Sequence, residues 1–438
     1  MVSSGNLWRE TAQNSTNPQR LEQDVSCEVA VIGAGFTGLS AALHLAQAGV
    51  DVTLIEAETI GHGGSGRNVG LVNAGLWKPP DQVLATLGQA HGERMNTMLS
   101  QAPAVVFELI ERHRITCEAT RNGTLHCAHN DRGWRDLQNR YRQQVARGAP
   151  VMLLSAEQAA QRTGSTRFHG ALWDGRAGTI QPLSFATGLA GAARAAGANL
   201  YEHSAAELVQ FHDGHWKIQT LAGEIRSRRL IQAINAYGAG GLAQNAYIPV
   251  HYFQLATDPL PDDLRAAILP GGEGCWDTAQ ILSSFRLDKF GRLIIGAIGN
   301  LDGFGAGSHR HWARRKLDRL YPQLAGVDMP HSWTGQIAMT EDYLPKVVDI
   351  GPKAISIYGF SGRGIGPGTL FGKCAVDWVI KDDDSAFPVP ITPATHARFR
   401  TAKTLYFEAG ASLTHLLNSR IPRTIWILWL VGFSVLEI

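Results

Sequence analysis

The chain has 438 residues, of which 44% are hydrophobic and 18% charged, and this balance excludes an intrinsically disordered protein. Its 48 glycines and 19 prolines follow no fixed period, which excludes a collagen-like repeat. Forty Lys and Arg residues against 38 Asp and Glu residues leave a formal charge of +2, so no nucleic-acid partner is expected.

The cysteines and the N-terminal residues predict a cytoplasmic protein. The first 26 residues contain no apolar run of the kind that a secretory signal peptide needs. The cysteines are odd in number, scattered and without a C-x-x-C pair, which predicts free thiols in a reducing compartment. They are Cys27, Cys117, Cys127, Cys275 and Cys374.

Residues 28–56 have the pattern of a βαβ unit. A strand over 28–33 (EVAVIG) runs into a G-x-G-x-x-G sequence, a helix is predicted over 40–49, and a strand over 51–56 ends in Glu56. Such glycines permit a tight turn, close approach of a pyrophosphate, and close packing of helix on strand. The Glu56 carboxylate can accept both ribose hydroxyls, so the pattern favours FAD or NAD over an ordinary strand-to-helix turn. The predicted cofactor contacts are Gly33, Gly35, Phe36, Thr37, Gly38, Glu56 and Ala57.

Residues 60–75 (IGHGGSGRNVGLVNAG) replace the third β-α unit that a plain NAD domain would contain. The stretch is too rich in glycine for a helix, and its backbone N–H groups and polar side chains fit the pyrophosphate and ring edge of a flavin. The stretch therefore favours FAD, and the alternative is a flexible surface loop. The predicted contacts are Gly64, Ser65, Gly66, Arg67, Asn68, Gly70 and Leu71.

Two regions without a βαβ rhythm predict a second, mixed sheet above the cofactor. Residues 85–150 predict two helices around a short strand, and residues 247–330 predict three strands followed by a charged helix. Tyr252 and Gln254 are two positions apart on the first of these strands, so they share a face and are predicted pocket residues.

Residues 354–369 predict a second strand-glycine-helix junction, in which AISIYGF leads into SGRGIGPGT. The glycines let the backbone approach a ligand, and the helix N-terminus would place partial positive charge against a reduced flavin. A purely structural turn is the alternative. Arg363 can bind a substrate carboxylate here, or it can bind the FAD or a backbone carbonyl.

The segments VIGAGFTGLSAALHLAQAGVDVTLIEA and GGSGRNVGLVNAG resemble the FAD-dependent amine and amino acid oxidases of the D-amino acid oxidase and glycine oxidase superfamily. Later segments such as AINAYGA and GFSGRGIGPGTLFGK follow in family order, so the resemblance spans residues 25–420. The S-G-R-N-x-G loop is similar to that of the branch containing L-pipecolate oxidase and γ-glutamylputrescine oxidase.

The resemblance implies non-covalent FAD and oxidation of the carbon-nitrogen bond of an amino or imino acid to an imine. L-pipecolate is the expected substrate, γ-glutamylputrescine or another polyamine-type amine is the alternative, and oxygen or a respiratory acceptor takes the electrons. The implied cofactor contacts are Asn235, Ala236, Gly335, Gly362, Arg363, Gly364, Ile365 and Gly366.

The chain departs from the family at the element that binds the substrate carboxylate. Glycine oxidases hold that carboxylate with an arginine in a G-x-R-P element, whereas residues 335–338 read GQIA and contain no cation. The carboxylate must therefore be held elsewhere. Arg363, Tyr252 and Gln254 are the predicted catalytic residues.

The expected fold class is α/β, with a discontinuous Rossmann-type FAD-binding domain and a mixed-sheet α+β substrate domain. The FAD-binding domain has a glutathione reductase-like βαβ unit and comprises 25–80, 155–245 and 335–400, and the substrate domain comprises 81–154 and 246–334. Residues 401–438 predict a C-terminal helix and an apolar tail. No metal site is expected, and His309 and His311 are predicted to lie in a surface loop.

The tail contains an apolar run over 425–436, which is shorter than the about 20 residues needed to span a bilayer. It predicts peripheral docking on the inner membrane, with electrons passing to a quinone. A packed helix or an altered terminus is the alternative.

Overall fold

The computed structural model describes residues 5–13, 19–238, 242 and 246–417. The strands are β1 (Val25–Ile32), β2 (Val52–Ile55), β3 (Leu71–Val72), β4 (Thr124–Cys127), β5 (Val151–Leu154), β6 (Ala171–Asp174), β7 (Gly178–Thr179), β8 (Asn199–Tyr201), β9 (Leu208–His212), β10 (His215–Gln219), β11 (Glu224–Gln232), β12 (Ile248–Pro259), β13 (Gly274–Asp277), β14 (Ser283–Leu287), β15 (Arg292–Ile298), β16 (His331–Met339), β17 (Lys346–Gly351), β18 (Ala354–Tyr358) and β19 (Ile391–Pro393). The helices are α1 (Leu7–Thr11), α2 (Phe36–Gln47), α3 (Pro80–Ser100), α4 (Ala102–Arg112), α5 (Asp131–Val145), α6 (Ala156–Thr163), α7 (Pro182–Ala195), α8 (Asp262–Ala267), α9 (Ala306–Leu320), α10 (Ile365–Lys381) and α11 (Arg400–Leu417).

The first sheet is built around β1. Within the described residues its order is β19-β17-β18-β11-β1-β2-β8, and β10 and β9 continue from β11. β1 pairs in parallel with both β2 and β11, and its last four residues are buried, as its apolar sequence predicts. α2 follows β1 and packs against α7 and α10, so its N-terminus lies at the C-terminal edge of the parallel strands.

The second sheet has the order β16-β12-β15-β14-β13-β4-β6-β5 in the described chain. β13 pairs in parallel with β4, and the other neighbours are antiparallel, so the sheet is mixed. The predicted α/β fold class with a second, mixed sheet is confirmed. β6 belongs to this sheet although it falls in the segment 155–245 predicted for FAD, and the exact domain limits stay a prediction.

The region over 85–150 contains three helices, α3, α4 and α5, rather than the two predicted. α3 and α4 are separated only at Gln101, and Pro103 lies in the first turn of α4. Proline suits that position because the first N–H groups of a helix have no partner within it. A short break of this kind hardly interrupts the apolar pattern. The sequence therefore predicted one helix where the structure has two, α3 and α4.

The prediction that His309 lies in a surface loop is wrong. His309 is buried in α9, on the same face as Trp312 and Leu317, and its Nδ1 lies 2.7 Å from Nδ1 of His415 on α11. The residue spacing along α9 places these side chains on one face, which packs against Phe253 and α11. His311 is exposed.

The C-terminal helix α11 packs against β12 and α9. Among the described residues, no helix combines the length and the apolar character needed to cross a bilayer. The predicted apolar tail, residues 421–438, lies outside the described residues. All five cysteines are free thiols, and four of them are buried.

Candidate active site

A cavity of about 1060 Å³ lies between the two sheets. The C-terminal ends of β1, β2 and β11 form one wall through Ile32, Ile55 and Gln232, and residues of β12, β13 and β16 form the opposite wall. In α/β folds, ligands bind in the crevice outside the carboxyl ends of the parallel strands. This cavity is therefore the candidate site.

Most of the predicted site residues meet in this cavity. Those that line it are Gly33, Gly35, Phe36, Thr37, Glu56, Ala57, Gly64, Ser65, Arg67, Asn68, Leu71, Asn235, Tyr252, Gln254, Gly335, Gly362, Arg363, Gly364, Ile365 and Gly366. The structure thus brings together residues from five distant parts of the sequence.

Four predicted cofactor contacts do not line the cavity, namely Gly38, Gly66, Gly70 and Ala236. A Cβ on Gly38 would lie 1.9 Å from the Gly33 carbonyl oxygen, and one on Gly70 would lie 2.1 Å from the Ile180 carbonyl oxygen. Both glycines therefore permit close packing of backbone on backbone. Gly66 meets the Gly61 carbonyl in the same way, and Ala236 is buried in a cluster with Tyr247 and Tyr358.

The first glycine turn leaves the start of α2 accessible from the cavity. Gly33 has φ +105°, and a Cβ there would lie 2.9 Å from the Ala233 carbonyl oxygen, so the turn requires glycine. Gly35 is the N-cap of α2 and offers no capping side chain. The N–H groups of the first turn and the helix dipole are therefore suited to a phosphate.

Glu56 lies at the end of β2, where it lines the cavity. Its Oε2 accepts from the Ala34 N–H at 2.7 Å and its Oε1 from the Glu58 N–H at 3.1 Å. Burial raises the pKa of this carboxyl, and the two backbone N–H groups oppose that effect. These bonds orient the carboxylate and leave it lone pairs for ribose hydroxyls.

Residues 62–70, here called the cradle loop, use their polar side chains to hold their own backbone. Ser65 Oγ accepts from the Phe36 N–H at 3.0 Å, and Asn68 Nδ2 donates to the Gly64 and Ser65 carbonyls. Arg67 donates from Nε to the His62 carbonyl and from NH1 to the Thr334 carbonyl of β16. The loop is therefore a fixed surface, which corrects the alternative of a flexible loop.

The late glycine turn approaches the cavity through an unusual backbone. Ser361 has φ 48° and Gly362 has φ 90°, and α10 begins at Ile365 without a side-chain cap. Gly364, Ile365 and Gly366 line the cavity. Two helix N-termini, those of α2 and α10, therefore open onto one cavity, which suits a ligand that carries negative charge at two places.

Arg363 is a buried cation in the cavity wall. It is 8% exposed, and its guanidinium carbon lies 4.7 Å from the Trp77 ring centroid and 4.5 Å from that of Trp276. NH1 donates to the Ala74 carbonyl at 3.0 Å, while the buried Nε has no partner among the described residues. Burial, reinforced by Arg140, lowers the pKa of Arg363 to about 9.

Tyr252 and Gln254 line the cavity from the same face of β12, but their polar groups differ. The Tyr252 hydroxyl donates to the Gly296 carbonyl at 3.1 Å and bonds Ser284 Oγ at 2.9 Å, and burial raises its pKa, so it is not a base at neutral pH. The amide nitrogen and oxygen of Gln254 are both buried and have no partner in the described chain. Such an orphaned amide indicates a ligand that supplies the missing bonds.

Sequence reasoning missed several wall residues, including Trp77, Trp276, Tyr237, Gln336 and Phe407. Trp276 stacks on His126 at 3.4 Å between ring centroids, and the Tyr237 hydroxyl accepts from the Gln336 N–H at 2.6 Å. Phe407 comes from α11, which the sequence assigned to neither domain. The only sequence signal for the tryptophans is their residue type, because nothing in the local pattern shows which loop or strand faces the cavity.

These features fit FAD. The two helix N-termini with glycine N-caps, the glycine backbone at Gly33 and the Glu56 carboxylate suit its phosphates and ribose, and the orphaned Gln254 amide lies in the opposite wall. His62 also lines the cavity, with Nδ1 of its ring 2.8 Å from Arg9 NH2, and non-covalent binding of the flavin stays a prediction.

Comparisons with known proteins agree with this fit. The family model for FAD dependent oxidoreductases (DAO) matches residues 28–378. The chain is 33% identical over 385 residues to probable oxidoreductase OrdL of Rhizobium meliloti (strain 1021), which covers 85% of this chain and 87% of the relative. It is 30% identical over 408 residues to gamma-glutamylputrescine oxidoreductase of Escherichia coli (strain K12), covering 92% and 95%.

A solved structure gives the same result for the fold. Glycine oxidase from Geobacillus kaustophilus matches with a TM-score of 0.70 at 21% identity, covering 85% of this chain and 99% of that chain. The family model spans far more than half of the sequence. The chain therefore belongs to the DAO family of FAD-dependent oxidoreductases, and its cofactor is FAD.

Proposed function

We propose that this protein oxidises the carbon-nitrogen bond of an amino or imino acid to an imine, and that L-pipecolate is its substrate. The observation that carries the proposal is that Arg363 is buried in the cavity wall without a carboxylate partner among the described residues. It is a buried cation in the cavity wall, and no carboxylate of the described chain lies within 4.0 Å of its guanidinium.

A buried cation is costly unless it is paired with an anion. The two tryptophan rings offset part of that cost through cation–π contact, and the Ala74 carbonyl satisfies one donor. The guanidinium retains donors for a bidentate bond to a carboxylate. A substrate carboxylate would supply the missing charge, in place of the family arginine that residues 335–338 lack.

The remaining wall residues suit a cyclic imino acid. Trp77 and Trp276 add apolar surface to the wall beside Arg363, and the Gln254 carbonyl can accept from the substrate N–H. Bound FAD would take the hydride equivalent from the carbon next to nitrogen. The protein orients that carbon and excludes water, and no base is required for an amine that arrives neutral.

The second candidate substrate is γ-glutamylputrescine. It is favoured by the relative from E. coli, which is 30% identical across 92% of this chain. In that molecule the carboxylate lies far from the oxidised carbon, so Arg363 would hold the remote end. The two candidates therefore differ in the distance between carboxylate and reacting carbon.

The test is anaerobic reduction of the purified holoenzyme by single compounds, followed in the visible absorption band of oxidised flavin. We expect L-pipecolate to bleach the band, while piperidine, which has the ring and its nitrogen but no carboxylate, leaves it intact. Bleaching by γ-glutamylputrescine but not by L-pipecolate would contradict the proposal that L-pipecolate is the substrate, and would establish γ-glutamylputrescine instead.

A membrane-docked form of this function passes electrons to a quinone. It is supported by Leu405, Leu413 and Leu416, which are exposed along α11 just before the predicted apolar tail. Deletion of 421–438 tests it in a vesicle co-sedimentation assay. Equal partitioning of full-length and shortened protein would remove the membrane hypothesis.

A further inference from the structure

Residues 5–13 form a segment that packs against the cradle loop. Leu7 and Trp8 of α1 are completely buried, although the sequence pattern assigned no role to this part of the chain. They form a cluster with Leu183, Trp333 and Val69, the last of which belongs to the cradle loop. Burial of a tryptophan in so short a helix indicates that the helix is held by what it contacts.

The segment is hydrogen-bonded directly to the cradle loop at three places. Asn6 Nδ2 donates to the Gly66 carbonyl at 2.9 Å, and Trp8 Nε1 donates to the Asn68 carbonyl at 2.8 Å. Arg9 NH2 lies 2.8 Å from His62 Nδ1. No other segment of the described chain contributes side-chain donors to the carbonyls of Gly66 and Asn68.

These bonds complete a pattern along the loop, because each carbonyl from residue 62 to residue 68 accepts a hydrogen bond from the protein. The donors are Arg67 Nε to His62, Gly66 N to Gly63, Asn68 Nδ2 to Gly64 and Ser65, Asn6 Nδ2 to Gly66, Trp333 Nε1 to Arg67, and Trp8 Nε1 to Asn68. A bonded carbonyl cannot turn its partial negative charge toward a phosphate or an electron-rich ring. The loop is thereby kept in an orientation that suits an anionic cofactor.

The segment is itself anchored to both halves of the molecule. Gln181 Nε2, at the start of α7, donates to the Trp8 carbonyl at 2.8 Å, and Glu10 lies 3.3 Å from His331 of β16. The Trp8 ring packs edge-on against Trp333 at 5.9 Å and under the buried Arg286 guanidinium at 5.3 Å. The cradle loop is therefore fixed relative to both walls of the cavity.

We propose that residues 5–13 are a positioning element of the FAD site, and that Asn6 and Trp8 retain the cofactor by holding the cradle loop. The proposal rests on the cofactor and not on the substrate proposed above. Loss of either bond frees one carbonyl of the loop and lets its backbone relax. The expected result is faster loss of FAD from a protein that remains folded.

The test measures FAD release from the holoenzyme after dilution, by the fluorescence of free FAD, with thermal unfolding recorded separately. Trp8→Phe keeps an aromatic ring and removes the indole donor, and Asn6→Asp keeps the acceptor that caps α1 while removing the donor to Gly66. Each variant is expected to release FAD about three- to tenfold faster, the value of one hydrogen bond.

Trp216→Phe is the matched control. Trp216 is also buried, and its indole donates to the Pro352 carbonyl at 2.8 Å, but it lies on β10 outside the cavity. It is expected to lower the unfolding temperature without changing FAD release. Release at the wild-type rate from both Trp8→Phe and Asn6→Asp would overturn the proposal, as would equal acceleration by Trp216→Phe. Should Trp8→Phe fail to fold, the rate of FAD release from Asn6→Asp alone tests the proposal.

Discussion

Arg363 and Arg229 are both buried arginines that lie over tryptophan rings, and they differ in their partners. Arg229 lies 5.2 Å from the Trp378 ring and pairs with Asp382 outside the cavity, whereas Arg363 has no carboxylate within 4.0 Å among the described residues. A paired buried cation stabilises its surroundings, while an unpaired one is retained at a cost in stability. This contrast makes the two residues a matched pair for mutation.

We predict that Arg363→Gln lowers kcat/KM for L-pipecolate by about 30- to 1000-fold, because truncating one partner of a buried charge pair costs about 2–4 kcal/mol. Its unfolding temperature should not fall, since the variant removes a buried unpaired charge. Arg229→Gln should behave in the opposite way, with a lower unfolding temperature and nearly normal kcat/KM. Steady-state kinetics and thermal unfolding of both variants check this. A full loss of stability in Arg363→Gln would contradict it.

The same residue predicts a pH dependence of anion binding. Burial disfavours the charged guanidinium and lowers the pKa of Arg363 to about 9, so anion binding at this residue is expected to weaken as the pH rises above that value. Cyclohexanecarboxylate, which lacks the amine, should bind with a constant Kd up to about pH 8 and weaken about tenfold per unit above pH 9. Titration of the flavin absorption spectrum measures this Kd. Equal affinity at pH 7 and pH 10.5 would contradict the predicted pH dependence, and unchanged affinity in Arg363→Gln at pH 7 would show that Arg363 is not the anion site.

At the residue scale, the sequence could predict what depends on local geometry. The G-x-G-x-x-G turn and Glu56 are placed by one βαβ unit, and both line the cavity. Trp77 lies in a loop and Trp276 on β13, and both contact Arg363. No local sequence pattern predicts these contacts. Gly38 packs helix on strand as its motif position predicts, whereas Gly70, predicted to offer its N–H to the cofactor, packs against the Ile180 carbonyl.

At the element scale, α11 contributes to the cavity wall. Phe407 lines the cavity, and the neighbouring Glu408 lies 3.5 Å from His309 Nε2 and 3.8 Å from His251 Nδ1. His251 in turn bonds Gln336, which also lines the cavity. The helix is therefore tied to both β12 and α9 where it forms the wall.

Phe407→Ala is predicted to widen substrate preference. Removing the ring should raise kcat/KM for ring-substituted pipecolates relative to pipecolate by about tenfold, the usual effect of small changes in an apolar pocket. Leu405→Ala is the control, because Leu405 is 64% exposed on the same helix. An unchanged ratio in Phe407→Ala would place α11 outside the substrate site. The prediction depends on the proposed function.

The Asp277–Lys316 pair links β13 to α9 and predicts a stability effect. Asp277 is 1% exposed, and Lys316 Nζ lies 2.5 Å from its Oδ2. Burial alone would raise the pKa of Asp277, but Lys316 and Ser283 outweigh burial and lower it. Its stabilising contribution is therefore complete above the ordinary carboxyl pKa and is lost as pH falls through the lowered value.

Asp277→Asn should reduce the free energy of unfolding at pH 7 by about 3 kcal/mol, because Lys316 loses its buried partner. Denaturant unfolding at several pH values measures this, and the difference from wild type should shrink in acid. Asp377→Asn, in an exposed pair with Lys381, should leave the unfolding midpoint unchanged. Equal effects of the two variants would contradict the role of burial.

Elements were predictable where a periodic pattern is long. The strands expected at 249–259, 279–288 and 291–300 correspond to β12, β14 and β15, and the helix after them to α9. The errors concern where helices begin and end, and which side chains are buried by contacts with distant residues. α3 and α4 differ from one helix only by a short break, and His309 is buried by Phe253 and His415, which are far away in the sequence.

At the scale of the whole molecule, the FAD site joins the two sheets. We predict that removing FAD lowers the unfolding temperature, and that the temperature rises with the logarithm of added FAD. At a free concentration 100 times Kd the stabilisation should be about 2.7 kcal/mol, because FAD binds only the folded chain. Differential scanning measurements over a range of FAD concentrations check this. A midpoint independent of FAD would contradict the cavity between the sheets as its site.

The sequence predicted two layers with the mixed sheet above the cofactor, but it could not show which contacts hold the layers together. A βαβ unit and a set of antiparallel strands can each be read from local periodicity, whereas their relative position depends on contacts such as Arg67 to Thr334. The assignment of β6 shows the same limit, since its four residues pair with β4 and β5 rather than with the segment that surrounds them in sequence.

The position of α10 in the chain bears on biosynthesis. The cavity needs the turn at Ser361–Gly366, which is made more than 300 residues after the first glycine turn, so a nascent chain on the ribosome has the first turn long before the second. Flavin loading must therefore follow translation of this segment.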